Sequence, residues 1–334
     1  MRTPPIPVVF EPLFKPKPWG GRRLATLLDK SLPPDELIGE SWELVSLPGN
    51  ESHVRDGPIA GRALCDLVTL WGHDLLGDAA LADGRFPLLI KFLDARENLS
   101  VQVHPKPAAD DPVGRQPGVK HEAWYVLHAE PGARIFAGVK PGVGPADMAR
   151  VANTPDMVRV LHTWDAQAGQ CYYLPSGTLH ALGAGVVVAE IQTPSDTTYS
   201  AYDWEHVGLD GRPRELHVEQ ALAHIRYDVP DSVIRPPSTP GPPLGSAAQR
   251  LVQCECFTLD GFSAGTGYEA PLPPAAMAVW IVLRGVLEFS TADSSGCMRK
   301  GDVTLIPAHS TAPLHVRTLA DTDWLQVTIP ARKP

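Results

Sequence analysis

Residues 99–105 read Leu-Ser-Val-Gln-Val-His-Pro. Gln102 and His104 are two positions apart, and in a strand, whose side chains alternate, that spacing turns both to one face. Val101 and Val103 then take the opposite face, which in a barrel packs outward against the neighbouring layer. An imidazole and an amide on an apolar strand are costly to bury without partners. A metal ion would satisfy them. A core histidine bonded to backbone is the blander alternative, and from this segment alone it is the commoner one. Further along, Lys120-His121-Glu122 leads directly into the apolar run AWYVL, so Glu122 sits at a strand start, where a loop can aim it into a barrel mouth. Alone, such a glutamate reads as a solvated strand end. The third segment is GQCYYLPSGTLH, with the frame G-x5-P-x-G-x2-H. Pro175 and Gly177 make a tight turn that returns the chain, so that His180 faces the strand pair opposite. Two imidazoles, a carboxylate and an amide oxygen from Gln102 suit a borderline divalent ion, zinc first, with one position left for water or substrate.

The elements that must position these groups are short strands. The chain holds 35 prolines and 29 glycines spread along its length, so it is cut into brief segments closed by turns, which favours an all-β architecture. Strands are expected over 41–47, 87–95, 99–105, 123–129, 133–139, 170–175 and 186–192. Helical spacing of apolar residues predicts helices within 61–83, 145–164 and 214–227. The stretch 229–246, VPDSVIRPPSTPGPPLGS, reads as a Pro/Gly/Ser linker over the surface. Beyond it, short strands return in AVWIVLRGVLEFS, GDVTLIPA and DWLQVTI. The expected organisation is therefore a metal-binding β-barrel with helical insertions over 1–228, a linker over 229–246, and a smaller barrel without metal ligands over 247–334. An internal echo supports two related units: Gly169-QCYYL-Pro175 and Gly301-DVTLI-Pro307 share the frame G-x5-P, with Ala312 in the second copy where His180 stands in the first. Chance is a fair competitor in a chain this rich in proline and glycine.

Length and charge bound the partners. The 334 residues suit about two domains, at roughly 150 residues each. A formal charge of −9 argues against nucleic acid or an anionic membrane, both of which need a basic face. Five cysteines without a CxxC read as reduced thiols in a cytoplasmic protein, and Cys254-x-Cys256 as core filling. The proline-bearing start is unlike a signal peptide, and Arg284 interrupts the longest apolar run, so no membrane span is expected.

At these residues the chain resembles the class I mannose-6-phosphate isomerases (phosphomannose isomerases), short bacterial type, within the cupin superfamily. The resemblance lies in PLFKPKPWGG, GESWELVS, PLLIKFLDARENLSVQVHP, KHEAWYVL, YLPSGTLHAL and EIQTPSDTTYSAYDW, in that order, over most of residues 8–227. It implies two cupin-type β-barrels (jelly rolls) with a few added helices, and reversible conversion of mannose 6-phosphate to fructose 6-phosphate with one zinc ion per chain. The family's metal ligands fall on Gln102, His104, Glu122 and His180. Its active-site residues fall on Lys91, Ser100, Lys120, Glu190 and Asp196. Moving a carbonyl between C1 and C2 needs a proton carrier and a cation at the enediol oxygens. Glu190 is the candidate carrier, Lys120 the electrophile, and Asp196 holds neighbouring groups; Lys91 and Ser100 would bind substrate. The blander readings are a salt-bridged strand residue for Glu190, a snorkelling lysine for Lys91 and a surface hydroxyl for Ser100.

One departure bears on the substrate. Ser200 stands where the family pattern has an arginine, and His206 where relatives carry lysine or arginine; both are candidate substrate contacts. Serine supplies neither a fixed charge nor a bidentate fork, so another cation, with Arg22, Arg23 and Arg212 as candidates, would have to reach in. The alternative is a metal-binding cupin with weakened or lost isomerase activity that binds or senses a sugar phosphate. Monomer and weak dimer both stay open.

Overall fold

The structure, a computed structural model, describes residues 4–108, 118–208, 211–237, 239–240, 247–271, 276–290, 295–309 and 314–330. Four larger antiparallel sheets and a two-stranded one, Ser46–Leu47 with Asn50–Glu51, build the described residues. A six-stranded sheet runs in the order Cys171–Leu174, Glu122–Ala129, Val186–Gln192, Leu89–Ala95, Ile38–Leu44, Leu13–Gly21. A five-stranded sheet faces it, in the order Leu161–Asp165, Arg134–Val139, His180–Leu182, Val101–Val103, Tyr199–Tyr202. The C-terminal part forms a second pair, of seven and four strands. The fold is thus mainly β with few short helices, as two cupin-type units require.

Alternation explains why the central strands are apolar throughout. In Val186–Gln192, the residues Val187, Ala189 and Ile191 point to one face and join a core with Leu251, Val279, Leu305 and Val327 of the seven-stranded sheet. The other parity, Val186 and Val188 with Glu190 and Gln192, faces the inside of the first sandwich. A sheet covered on both faces loses the polar alternation of a half-exposed strand. The second sandwich fills its interior with Phe262, Trp280, Phe289 and Trp324, with Phe262 and Trp324 stacked at 5.1 Å.

Val101 and Val103 pack as expected on the face away from Gln102, under Met148 and Ala221 of the covering helices. Helix lengths differ from expectation. The pattern over 61–83 yields Leu64–Trp71 and His73–Leu76, broken at Gly72, whose φ of 51° leaves the helical region. The segment 145–164 is helical only over Pro145–Val151; a 3₁₀ turn follows over Pro155–Val160, and Trp164 lies in the strand Leu161–Asp165. Apolar periodicity there came from a strand edge packed beside a helix, which spacing alone does not separate. Within 229–246, Asp231–Ile234 is one helical turn with Ile234 fully buried, so this part docks and does not merely run over the surface. Residues 238 and 241–246 lie outside the described residues, as does Ala312. Val8–Val9 pairs with Val303–Ile306, so the chain's start completes the sheet of the C-terminal unit, where Val8 enters the shared core. Gly169 and Gly301 both adopt φ 85° two residues before a strand starts, so the two G-x5-P frames are locally alike.

Cys254 and Cys256 pack on the shared core, and no disulfide joins the five cysteines. Among the described residues no helix is long and apolar enough to cross a membrane.

Candidate metal centre

Two cross-strand rows face each other inside the first sandwich. In the six-stranded sheet Trp42 pairs with Lys91, Lys91 with Glu190, Glu190 with Trp124 and Trp124 with Tyr172. In the five-stranded sheet Ala137 pairs with His180, His180 with Gln102 and Gln102 with Ser200. Directly paired residues share a face, so register alone lines one wall with charge and the other with potential ligands.

His104, Glu122 and His180 converge. Their donor atoms lie within 4.8 Å of one another, and all three side chains are essentially buried. His180 Nε2 is 3.0 Å from Glu122 Oε1, and His104 Nε2 is 3.4 Å from Glu122 Oε2. Donors on a tetrahedral zinc with bonds of about 2.0–2.1 Å sit ~3.3 Å apart. The orientation of each imidazole is fixed from behind. Nδ1 of His104 donates to the Thr197 carbonyl at 2.9 Å and Nδ1 of His180 to the Thr178 carbonyl at 2.8 Å. Each Nε2 is therefore left as a lone pair aimed inward, the tautomer a metal ligand needs. His104 Nε2 and Glu122 Oε1 are buried without a hydrogen bond, and Glu122 Oε2 has only the Lys120 ammonium at 2.6 Å. Polar atoms in that state are costly unless something else satisfies them, and a divalent cation does. Gln102 lies alongside, its Nε2 3.3 Å from His180 Nε2; a half-turn of the amide presents Oε1 as a fourth donor. The turn before His180 is as expected: Gly177 has φ 90°, and a Cβ there would meet Arg226 Cγ at 2.7 Å.

Beside the donors stands a lysine–carboxylate network. Lys120 Nζ is 2.6 Å from Glu122 Oε2 and 3.3 Å from Glu190 Oε1. Lys91 Nζ lies 3.6 Å from Glu190 Oε1, 3.4 Å from Asp196 and 3.6 Å from Glu40, under the Trp42 ring at 4.5 Å. Trp124 Nε1 donates to Glu190 Oε2 at 2.9 Å, which fixes the carboxylate and leaves Oε1 to the lysines. Burial works against the Lys120 ammonium, but Glu122 and Glu190 outweigh it and hold its pKa above the ordinary value; Glu40 and Glu190 do the same for Lys91. Burial pushes His104 down to about 3, helped by Lys120, so its imidazole is neutral. Glu122 is held well below the usual carboxylate range because the Lys120 ammonium beside it overcomes its desolvation.

Glu40 gives a pH prediction. Burial alone would raise its pKa, yet Lys91, Lys17 and the Trp42 indole bring it from 4.5 to about 2. A depressed carboxylate adds stability that is complete above the unfolded value and lost as pH falls through the folded one. At pH 7 Glu40→Gln should therefore cost on the order of 3 kcal/mol. Urea midpoints of both proteins should converge between pH 4.5 and about 2. A penalty of the same size at both ends of that window would remove Glu40 as the cause.

The structure brings Gln102, His104, Glu122, His180, Lys91, Lys120, Glu190 and Asp196 to one cavity wall or the other. Asp196 reaches Lys91 from the rim, with its side chain 58% exposed. Ser100 Oγ is 3.1 Å from Ser200 Oγ and both residues are buried. His206 stays apart from the ligands, 3.8 Å from Glu97 and 3.9 Å from Asp203. His121, adjacent to Glu122, points away to Tyr173 and the Ser176 amide, as strand parity requires. Two of the cations expected near Ser200 are structural: Arg22 caps the carbonyls of Pro33 and Glu36, and Arg23 holds Asp94 at 2.8 Å, with Glu130 and the Ala95 carbonyl. Arg212 is exposed. The guanidinium that does arrive belongs to Arg214, whose Nη1 donates to Ser100 Oγ at 3.3 Å. The sequence reading missed it, along with Glu40, Trp42 and Trp124. Glu40 and Trp42 carry the same two-residue spacing that singled out Gln102 and His104, a usable signal. Arg214 sits in a polar loop with no such mark.

Comparison with known proteins follows the same lines. Residues 9–130 match the family described as phosphomannose isomerase type I, catalytic domain. ManA of Bacillus subtilis strain 168, a mannose-6-phosphate isomerase, is 33% identical over 219 residues, 66% of this chain and 68% of its own. The crystal structure of the mannose 6-phosphate isomerase from Bacillus subtilis superposes with a TM-score of 0.84 at 29% identity, covering 97% of this chain and 99% of that one. A zinc-bound mannose 6-phosphate isomerase structure shares the fold at a TM-score of 0.71 and 16% identity, over 97% and 99% of the two chains.

Proposed function

The chain belongs to the mannose-6-phosphate isomerase family, and from that premise we propose that it interconverts mannose 6-phosphate and fructose 6-phosphate at one zinc ion held by His104, Glu122, His180 and Gln102. The observation that carries this reading is the convergence of three buried side chains, with His104 Nε2 and Glu122 Oε1 left without hydrogen bonds, beside an ion-paired lysine and carboxylate. When bound, zinc supplies Lewis acidity toward the oxygens on C1 and C2.

The remaining chemistry belongs to side chains. Glu190 Oε1 takes the proton from C2 of the aldose and returns it to C1; in the reverse direction it runs from C1 to C2. Its second oxygen is tethered by Trp124, so the proton carrier turns little during the transfer. Lys120, kept protonated by its carboxylates, gives a proton to the C1 oxygen as negative charge builds there and recovers one from the C2 hydroxyl as the ketose forms. Lys91 is anchored by Glu40 and Asp196 and balances the charge on Glu190 when the proton leaves. The buried walls keep water from the enediol.

A coupled assay for fructose 6-phosphate formation tests this. Turnover should be abolished by a chelator and return on addition of zinc. Metal-replete protein that binds mannose 6-phosphate in a thermal-shift experiment yet forms no product would favour the sugar-phosphate-binding reading, to which the neutral, buried Ser200 gives some weight.

A further inference from the structure

We infer that Arg214 is the cation that receives the substrate's phosphate, seated on the hydroxyl pair of Ser100 and Ser200 at the flank of the metal centre. The inference rests on the sugar-phosphate reading above. A hexose 6-phosphate carries its reacting carbons and its phosphate at opposite ends, so the anion must be held beside the metal and not on it. A hydrogen-bonded path leads to such a place. His180 Nε2 lies 3.3 Å from one end of the Gln102 amide, Ser100 Oγ lies 3.4 Å from its other end, and Arg214 Nη1 donates to Ser100 Oγ at 3.3 Å. Ser200 Oγ holds Ser100 from the other side at 3.1 Å.

Charge makes a cation necessary there. Within the cavity wall Lys17, Lys91 and Lys120 stand against Glu40, Glu122, Glu190 and Asp196, three positive groups against four negative. A divalent ion turns that balance to one net positive charge, and a dianionic phosphate reverses it again. Lys91 and Lys120 are already shared among carboxylates, so neither can turn to a phosphate without exposing a buried negative charge. Arg214 is differently placed. Its hydrogen bond goes to a neutral hydroxyl, it makes no close ion pair among the described residues and feels Asp203 only at longer range, and its planar fork has four more N–H donors. It is solvent-exposed, so an incoming ligand can reach it, while buried Ser100 gives it a fixed seat.

His206 belongs to the same rim. The half-buried Asp203 carboxyl, raised by burial, is drawn down first by Arg214 and then by His206, and His206 Nδ1 is 3.9 Å from it. Asp203 is a carboxylate that feels this guanidinium, and its desolvated position makes it a competitor that a dianion displaces electrostatically.

The test compares zinc-loaded wild type with Arg214→Gln and Arg214→Lys. Mannose 6-phosphate kinetics and calorimetric titration with inorganic phosphate are run in parallel, and zinc content is measured in each protein. Arg214→Gln should raise KM by about 10- to 100-fold, leave kcat within about threefold, and weaken inorganic phosphate by a factor similar to the rise in KM. Arg214→Lys should recover part of both, and zinc should stay at one per chain. Unchanged KM and phosphate affinity in Arg214→Gln, or a loss confined to kcat, overturns the inference. If the wild type forms no fructose 6-phosphate, the isomerase reading fails; the phosphate titration still decides Arg214, since weaker binding in the variant upholds it and equal binding ends it.

Discussion

Glu122→Gln is expected to release the metal and lower turnover by about 10³-fold or more. Glu122 is the one anionic donor among the three converging side chains, and it faces both histidines within 3.4 Å. An amide in its place keeps the volume but removes the charge that offsets a divalent ion beside Lys120. Removing even an outer partner of a metal ligand costs about 10–100-fold in affinity or activity, and a lost ligand costs more. Loss of several kcal/mol of Lewis-acid stabilisation corresponds to three or more decades in rate. Metal content by atomic emission and kcat on the same preparation check this. One zinc per chain with wild-type kcat would remove Glu122 from the ligand set. A thermal melt of the metal-free proteins guards against misfolding: the variant removes the 2.6 Å partner of Lys120 but leaves Glu190 at 3.3 Å to compensate it, so a fall in midpoint with a cooperative transition is expected, not collapse.

Glu190→Gln separates the proton carrier from the metal. Positioned general bases contribute typically about 10²–10⁴-fold, and a loss of that size should appear in kcat. KM should move by less than about tenfold, because the amide still accepts from Trp124 and still fills the space between the lysines. Zinc content should be unchanged, since Glu190 touches Lys91, Lys120 and Trp124 and none of the three metal donors. A kcat within tenfold of wild type would assign the proton to another group. Together the two variants produce distinct signatures, one losing metal and rate, the other rate alone.

The lysines illustrate how the site divides its labour. Lys120 touches both the metal-side carboxylate Glu122 and the proton carrier Glu190, so it couples the two halves of the reaction electrostatically. Lys91 couples Glu190 to Glu40 and, through Asp196, to the rim. A neutral group at either position would leave buried carboxylates uncompensated, which is why both ammonium groups are held charged despite complete burial.

What could be read from the sequence was whatever depends on neighbours along the chain. The two-residue spacing of Gln102 and His104, the Pro175–Gly177 turn before His180 and the outward face of Val101 and Val103 follow from strand alternation and turn stereochemistry, and the structure keeps all of them. So does the strand Val186–Gln192, residue for residue. Length periodicity did less well at 145–164, because a helix and a strand that bury the same side of the chain leave similar apolar traces. Only the tertiary structure decided the cross-strand register that sets Trp42, Lys91, Glu190 and Trp124 in one row, the carbonyls of Thr197 and Thr178 that aim both imidazoles, and the arrival of Arg214 at Ser100 from 114 positions away. Local sequence dictates which way a side chain leaves its own strand. Which foreign side chain it meets there depends on long-range pairing and packing, whose energy is shared over the whole core and written at no single position.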